Sequence, residues 1–531
     1  MNDPESEKCV IKMKKITILD STLRDGAQAE GVSFSVNDKL NICKTLDAFG
    51  VDYIEAGNPV SNPKDADFFE AAKKLNLKHA KIVAFSATCH QGISPESDPG
   101  IQSLVKAGTE TVTIVGKSWK MQVDDVLGIT EEENCALIEK TISYLVKLGK
   151  TVIFDAEHFF DGWLNDKTFA LNVLKTAFHA GASILTLCDT NGGTLPFDVY
   201  MATKEALESL PEATIGIHCH NDSGCAVASS VSAVLSGADH VQGTINGIGE
   251  RCGNADLSCI IPNLILKTAC TCNAKLSSLS DTVAVIADIA NLSVENNKPY
   301  IGKSAFAHKG GMHIDAVLKN PATFEHIDPE TVGNERRLLM SEVSGRSTIP
   351  AKLQSLIPGI RKDSPETAAI LQALKESEHQ GYQYEAAEAS LELMVMKLLG
   401  KYKPHFELIF YKIMGEYPVA SGELPSFASL KIRVDGKNEI TAETGSGPVN
   451  ALDLALRKAL SVFYPELTNM ELTDYKVRVL EHSTGARVRV LMESTAGQTT
   501  WSTVGVSNDI IEASLLALID SVEYYLMKLN I

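Results

Sequence analysis

Over its first half the chain repeats one pattern, a short apolar run followed by an amphipathic stretch. Candidate strands fall at residues 15–19, 53–56, 80–85, 111–115, 151–155, 184–188, 215–218 and 240–243. Helical periodicity occupies 37–49, 65–75, 131–148 and 168–180 between them. Two of these helical stretches run into Gly50 and Gly181, the residue type that most easily takes the left-handed conformation at a helix end. Eight strand-helix units are the signature of a TIM (β/α)8 barrel. A doubly wound sheet is the rival. Polar motifs follow many different strands here, and a barrel gathers all its strand ends around one site whereas an open sheet does not. An α/β fold with an N-terminal TIM barrel is therefore expected.

The remainder has a different texture. A chain of 531 residues is too long for one ordinary core. From residue 281 to 403 helical patterns dominate, near 366–374 and 384–400, broken by a Gly-rich polar segment at 305–315. After residue 404, strands are expected at 429–434, 475–480, 487–492 and 499–506, with helices at 449–460 and 509–526. A β-rich run ending in a Gly-containing turn and a helix occurs twice, at 444–451 and 503–510. We read this as an internal repeat of β-β-α units, forming an α+β domain that dimerises or binds an effector. The expected division is a catalytic barrel at 1–280, helical linker subdomains at 281–403 and a regulatory domain at 404–531.

The formal charge of −18 argues against nucleic acid or an acidic membrane surface as partner. No run of apolar residues is long enough to span a bilayer, and the polar start of the chain does not read as a signal peptide. A cytoplasmic location is expected. The 11 cysteines are odd in number, contain no Cys-x-x-Cys pair and read as free thiols. An anionic small substrate would need local positive groups, and Arg24, Arg251 and a metal ion would serve.

The metal is suggested by His218 and His220 at the end of one candidate strand. Residues i and i+2 of a strand share a face, so both imidazoles can aim at one point. Asp25 follows the first strand and could add a carboxylate, leaving the opposite face of an octahedron open. Asn254 could contribute an amide oxygen. One carboxylate with exchangeable waters suits Mg²⁺ or Mn²⁺, and the imidazoles leave Zn²⁺ open. Two histidines and one carboxylate also serve non-haem iron oxygenases, but there the carboxylate usually lies beside a histidine, whereas here most of the barrel separates them. Arg24, next to Asp25, could stabilise an oxyanion developing on a metal-bound carbonyl. Thr190, at a strand end, could donate a hydrogen bond to a carboxylate. Glu157 could transfer protons, with His158 and Asp155 close enough to substitute. In residues 246–254 we read the glycines as letting the backbone approach a substrate or ligand closely, with Asn246, Gly247 and Arg251 as candidate contacts.

Residues 23–28, 218–224 and 246–254 resemble the 2-isopropylmalate synthase and homocitrate synthase family, and the resemblance runs over essentially the whole chain. Residues 154–162 and 332–341 are most similar to its branch that uses pyruvate. The resemblance implies a metal-dependent acyl transferase in which acetyl-CoA condenses with pyruvate and water to give (R)-citramalate and CoA, opening a threonine-independent route to isoleucine. It implies Asp25, His218 and His220 as metal ligands with Asn254 as a further one. It makes Arg24 the stabiliser of enolate and alkoxide charge, and Thr190 the holder of the 2-oxo acid carboxylate. Glu157 and His313 would handle protons, His313 coming from the partner subunit of a homodimer. Family members often carry a Tyr where this chain has Phe324, so the hydroxyl is expected to be dispensable. By the same resemblance the C-terminal repeat senses an amino acid, expected to be isoleucine rather than leucine, with Gly445, Gly447, Gly505 and Asn508 in the turns that would contact it. The competing readings are a 2-isopropylmalate synthase acting on 2-oxoisovalerate, a hydroxyacyl-CoA lyase of the same superfamily, and an amino-acid sensor without activity.

Overall fold

The computed structural model describes residues 13–531 except 342, 355, 417–424, 482–484, 498 and 530. Helix starts in the first half are written locally. Ser35 and Asp38 form a reciprocal cap on helix Val36–Phe49, which ends at Gly50 with φ of 103°. Thr130 and Glu133 do the same for helix Glu131–Lys147. The apolar runs between such helices become β1 (Thr17–Asp20), β2 (Tyr53–Glu55), β3 (Lys81–Ala87), β4 (Thr111–Lys117), β5 (Thr151–Glu157), β6 (Ile184–Asp189), β7 (Ile215–Cys219) and β8 (His240–Gly243). All pair in parallel, and β1 closes the barrel by pairing with both β2 and β8. The expected barrel is therefore present, each of its strands matching a candidate run.

The two faces of the strands carry different loads. Ile18, Val152, Phe154 and Leu185 belong to the large core shared with the surrounding helices. Their opposite-facing neighbours Leu19, Ile153 and Ile184 form a separate small cluster with Tyr53. Close to it lies His240 of β8, fully buried. Its Nδ1 is 2.9 Å from the Thr17 hydroxyl and its ring meets Tyr53 edge-on. Gly216 of β7 makes room for it, since a Cβ there would come within 2.8 Å of the imidazole.

Contacts divide the chain into two units, residues 1–306 with 327–335, and residues 307–326 with 336–531. In the second, the Gly-rich polar segment contains a short strand, Ala307–His308, paired with Arg337–Leu338, and then the start of helix Gly311–Lys319. Further on stand β9 (Glu407–Gly415), β10 (Ser426–Val434) and β11 (Lys437–Gly445), then helix Pro448–Ser461. The same order recurs as β12 (Met470–Val479), β13 (Val488–Ala496), β14 (Thr499–Ser507) and helix Ile510–Lys528. The duplication is real, but each repeat holds three antiparallel strands, not two. In the first repeat only the central strand, β10, alternates cleanly between buried and half-exposed positions. Of its flanking strands, β9 is mostly apolar but interrupted by a register irregularity between Leu408 and Phe410, and β11 is mostly polar. The helices pack closely: a Cβ on Gly505 would lie 2.0 Å from the Ala513 carbonyl oxygen.

Burial pushes the His240 imidazole down to about 3, assisted by His218. The unfolded chain takes up this proton below about 6.5, and the folded barrel refuses it until about 3, so stability is lost as pH falls through that window. This group alone is expected to cost about 1.4 kcal/mol per pH unit there. Denaturant unfolding of a His240→Gln variant across that range should show a correspondingly shallower slope, and an unchanged slope would contradict the assignment.

Candidate metal centre

Asp25 reaches the barrel mouth on a tight turn after β1, its amide bonded to the Ser21 carbonyl at 2.9 Å. His218 lies on β7, and His220 follows it in a bridge to Asn254. The three side chains converge. Asp25 Oδ2 is 3.2 Å from His218 Nε2 and 3.9 Å from His220 Nε2, and the two Nε2 atoms are 3.4 Å apart. All three residues are buried. A cation about 2.1 Å from each of two cis ligands separates those ligands by roughly 3 Å, so this triangle has the size and donor chemistry of one face of a coordination sphere. Among the described residues it is the one cluster of His, Cys, Asp or Glu atoms close enough to hold an ion.

The local charge state suits a cation. Burial opposes ionisation of Asp25, but the carboxyl is held well below its usual range, chiefly by the Arg24 guanidinium beside it. Burial, with His218 beside it, pushes the His220 imidazole down to about 4, so it offers a lone pair rather than a charge. Asn254 Nδ2 donates to Asp25 Oδ2 at 3.0 Å, and its buried Oδ1 has no partner. The loop of residues 246–254 serves this asparagine. A Cβ on Gly249 would lie 1.9 Å from Asn254 Oδ1, and one on Gly253, at φ of 89°, would lie 2.2 Å from the Gly247 carbonyl. Two of the glycines thus make room for the loop's own Asn254 side chain and Gly247 carbonyl. Asn246 and Gly247, both at positive φ, shape this loop and stand outside the lining of the cavity at the barrel mouth.

That cavity, of about 670 Å³, opens over the metal-binding face. Arg24 forms one wall. Its Nε and Nη2 both lie 2.7 Å from Glu55 Oε2, its Nη1 is 3.3 Å from Asp25, and its guanidinium stacks 4.2 Å over Phe85. Glu55 is fully buried and also accepts from the Ser21 hydroxyl. Thr190 Oγ1 accepts from the His158 amide at 2.9 Å, which leaves its own hydrogen to donate into the cavity. The His158 backbone takes φ of 57° to make that bond. Glu157 stands beside Lys117 of the neighbouring strand, its Oε2 2.5 Å from Nζ. Arg251 lines the cavity with its guanidinium already engaged, gripping both Asp222 oxygens and the Thr190 carbonyl.

The remaining expected residues belong to the second unit. His313 lies on helix Gly311–Lys319, its ring stacked on Phe324 with centroids 4.1 Å apart. Phe324 thus supplies a flat apolar surface to the histidine. Gly445 and Gly505 each pack against the backbone of the helix that follows, whereas a Cβ on Gly447 would meet nothing within 4 Å. Asn508 precedes Asp509, the cap of helix Ile510–Lys528. Sequence reasoning missed Glu55, Lys117, Asp222 and Gln242. A polar side chain inside an otherwise apolar strand was the available signal for Glu55 and Gln242.

Comparison with known proteins places these features in context. Residues 15–286 match the HMGL-like family model, residues 300–381 the homocitrate synthase post-HMGL domain-like model, and residues 385–526 the LeuA allosteric (dimerisation) domain. The chain is 50% identical to the (R)-citramalate synthase of Aquifex aeolicus, over 97% of this chain and 98% of that protein. It is 46% identical to that of Geobacter sulfurreducens over the same shares. Identity to the 2-isopropylmalate synthase of Pyrococcus furiosus is 31%, over 96% of this chain and 98% of that one.

Removing Arg24 would leave Glu55 charged and buried, an arrangement that costs about 3–5 kcal/mol. An Arg24→Met variant is expected to lose that much barrel stability by denaturant titration. Adding Glu55→Met should restore most of it; a double variant no more stable than the single one would show that the pair is not coupled.

Proposed function

The chain belongs to the family of the (R)-citramalate synthases, built on an HMGL-like barrel, and on that premise we propose that it condenses acetyl-CoA with pyruvate and water to give (R)-citramalate and CoA. The near-full-length match carries this reading, and a metal-binding face beside Arg24 supports it. The acetyl methyl group is a poor carbon acid, so the base that takes its proton must work beside groups that stabilise the enolate. The enolate carbon then attacks the ketone carbon of pyruvate, the resulting alkoxide takes a proton, and water cleaves the thioester to release CoA.

Asp25, His218 and His220 would hold the cation, with Asn254 beside them, and Mg²⁺ or Mn²⁺ is the expected ion ahead of Zn²⁺. When bound, it supplies Lewis-acid polarisation of the ketone. Arg24, locked by Glu55 and Phe85, faces the region where enolate and alkoxide charge develops. The free hydrogen of Thr190 suits the pyruvate carboxylate. Glu157 is the proton acceptor closest in kind to what the first step needs, and we assign His313, from the second subunit of a homodimer, the later proton transfer. Arg251 acts by holding Thr190 in place. For the C-terminal domain we propose feedback inhibition by isoleucine, with residues around Gly445, Gly447, Gly505 and Asn508 near the effector. The match to an allosteric and dimerising domain supports this.

The test is acetyl-CoA-dependent release of CoA thiol with pyruvate, 2-oxobutyrate, 2-oxoisovalerate, 2-oxoglutarate or glyoxylate, in Mg²⁺, in Mn²⁺ and in chelator. Metal-dependent turnover with strong preference for pyruvate is expected. Preference for 2-oxoisovalerate would move the assignment to 2-isopropylmalate synthase, and no turnover would move it to a lyase or a sensor. Thr190→Val should weaken use of pyruvate by about 10-fold or more in kcat/KM, the loss of one hydrogen bond to a charged group.

A further inference from the structure

Gln242 sits at the centre of a buried chain of side chains drawn from four consecutive strands. It lies on β8 in register with His218 of β7, and on β5 and β6 Asp155 and Thr186 form a second registered pair. All four side chains are buried, Gln242 and Thr186 completely. Gln242 Nε2 is 2.9 Å from Asp155 Oδ1 and 3.0 Å from Thr186 Oγ1, and Gln242 Oε1 is 3.0 Å from His218 Nδ1.

The chemistry of these groups sets the direction of every bond. A carboxylate only accepts, so Asp155 draws the amide nitrogen toward itself, and the two N–H bonds are used on Asp155 and Thr186. The amide oxygen is then left for His218. It can only accept, so His218 Nδ1 must carry a hydrogen. The neutral imidazole then has a bare Nε2, and that is the atom facing Asp25 and His220. The opposite tautomer would point a proton at Asp25 Oδ2, 3.2 Å away, into the space a cation needs.

We propose that Gln242, anchored by Asp155, is a positioning residue that fixes the His218 tautomer and so tunes the affinity of the Asp25–His218–His220 site for a divalent ion. The inference rests on the metal reading given above. Partners of metal-ligating histidines are typically worth about 10–100-fold in affinity.

The experiment is titration of the full chain with Mn²⁺, with free ion counted by electron paramagnetic resonance. Wild type is compared with Gln242→Met, which nearly keeps the volume but replaces the amide oxygen facing His218 with a weakly accepting thioether, and with Gln242→Glu alone or combined with Asp155→Asn. In the double variant the new carboxylate accepts from both His218 and the new asparagine amide, so the bond between positions 155 and 242 reverses while an acceptor still faces His218 Nδ1. Gln242→Met is expected to raise the Mn²⁺ Kd by about 10–100-fold, and the double variant should bind several-fold more tightly than Gln242→Glu alone. Histidine-selective ¹⁵N spectra of the metal-free protein should show a protonated Nδ1 at His218 in wild type and loss of that preference in Gln242→Met. If Gln242→Met does not fold, the comparison of the double variant with Gln242→Glu decides. Gln242→Met binding within two-fold of wild type, or a double variant no tighter than Gln242→Glu, would overturn the proposal. Wild type that binds no stoichiometric Mn²⁺ would instead overturn the metal reading on which it stands.

Discussion

The mouth of the barrel is a place where buried negative charge has to be balanced. Asp25, Glu55 and Asp155 all lie there, each almost or fully buried. Arg24 is the cation placed among them, and it is held to Glu55 and Asp25 together. Burial and the nearness of Glu55 push the Asp155 carboxyl up to about 6, a sign of the excess. A divalent ion against Asp25 would relieve it from one side while Arg24 relieves it from the other. The loops, the cavity and the order of hydrogen bonds behind the histidines are all arranged around that balance.

The parallel closed barrel makes such crowding possible. Each strand delivers its C-terminal end to the same rim. Asp25, Glu55, Lys117, Glu157, Thr190, His218 and Asn254 are distant in sequence, yet the first six come from the ends of different strands or the turns just after them. Asn254 arrives by a loop after β8 that glycines fold back onto it. The strands themselves supply only moderate side-chain chemistry, and the site is largely a matter of where they stop.

Much of this was legible beforehand, and the reasons are local. The barrel shows in the alternation of runs, and His218 with His220 shows because two residues on one strand share a face. Arg24 and Asp25 stand together in a short polar segment. Glu55, Lys117 and Gln242 were not legible because their meaning depends on partners 24 to 40 residues away or more. Alone, each is one polar residue in a strand. In the residue 246–254 loop, glycine reports close approach without saying what approaches, so the packing around Asn254 was not legible. β11 was missed because an edge strand need not be apolar, and β9 because its apolar residues do not alternate cleanly.

The grip of Arg251 has a further consequence. Its guanidinium joins its own loop after β8 to Asp222 after β7 and to the Thr190 carbonyl after β6. Three loops that a barrel would ordinarily let diversify separately are tied into one unit. Natural variation in this sector should therefore be inherited as a block: a lengthened or exchanged loop is tolerated when the other two change with it. The opposite side of the rim, where no comparable knot spans three loops among the described hydrogen bonds, is the side left freer to drift toward new substrates.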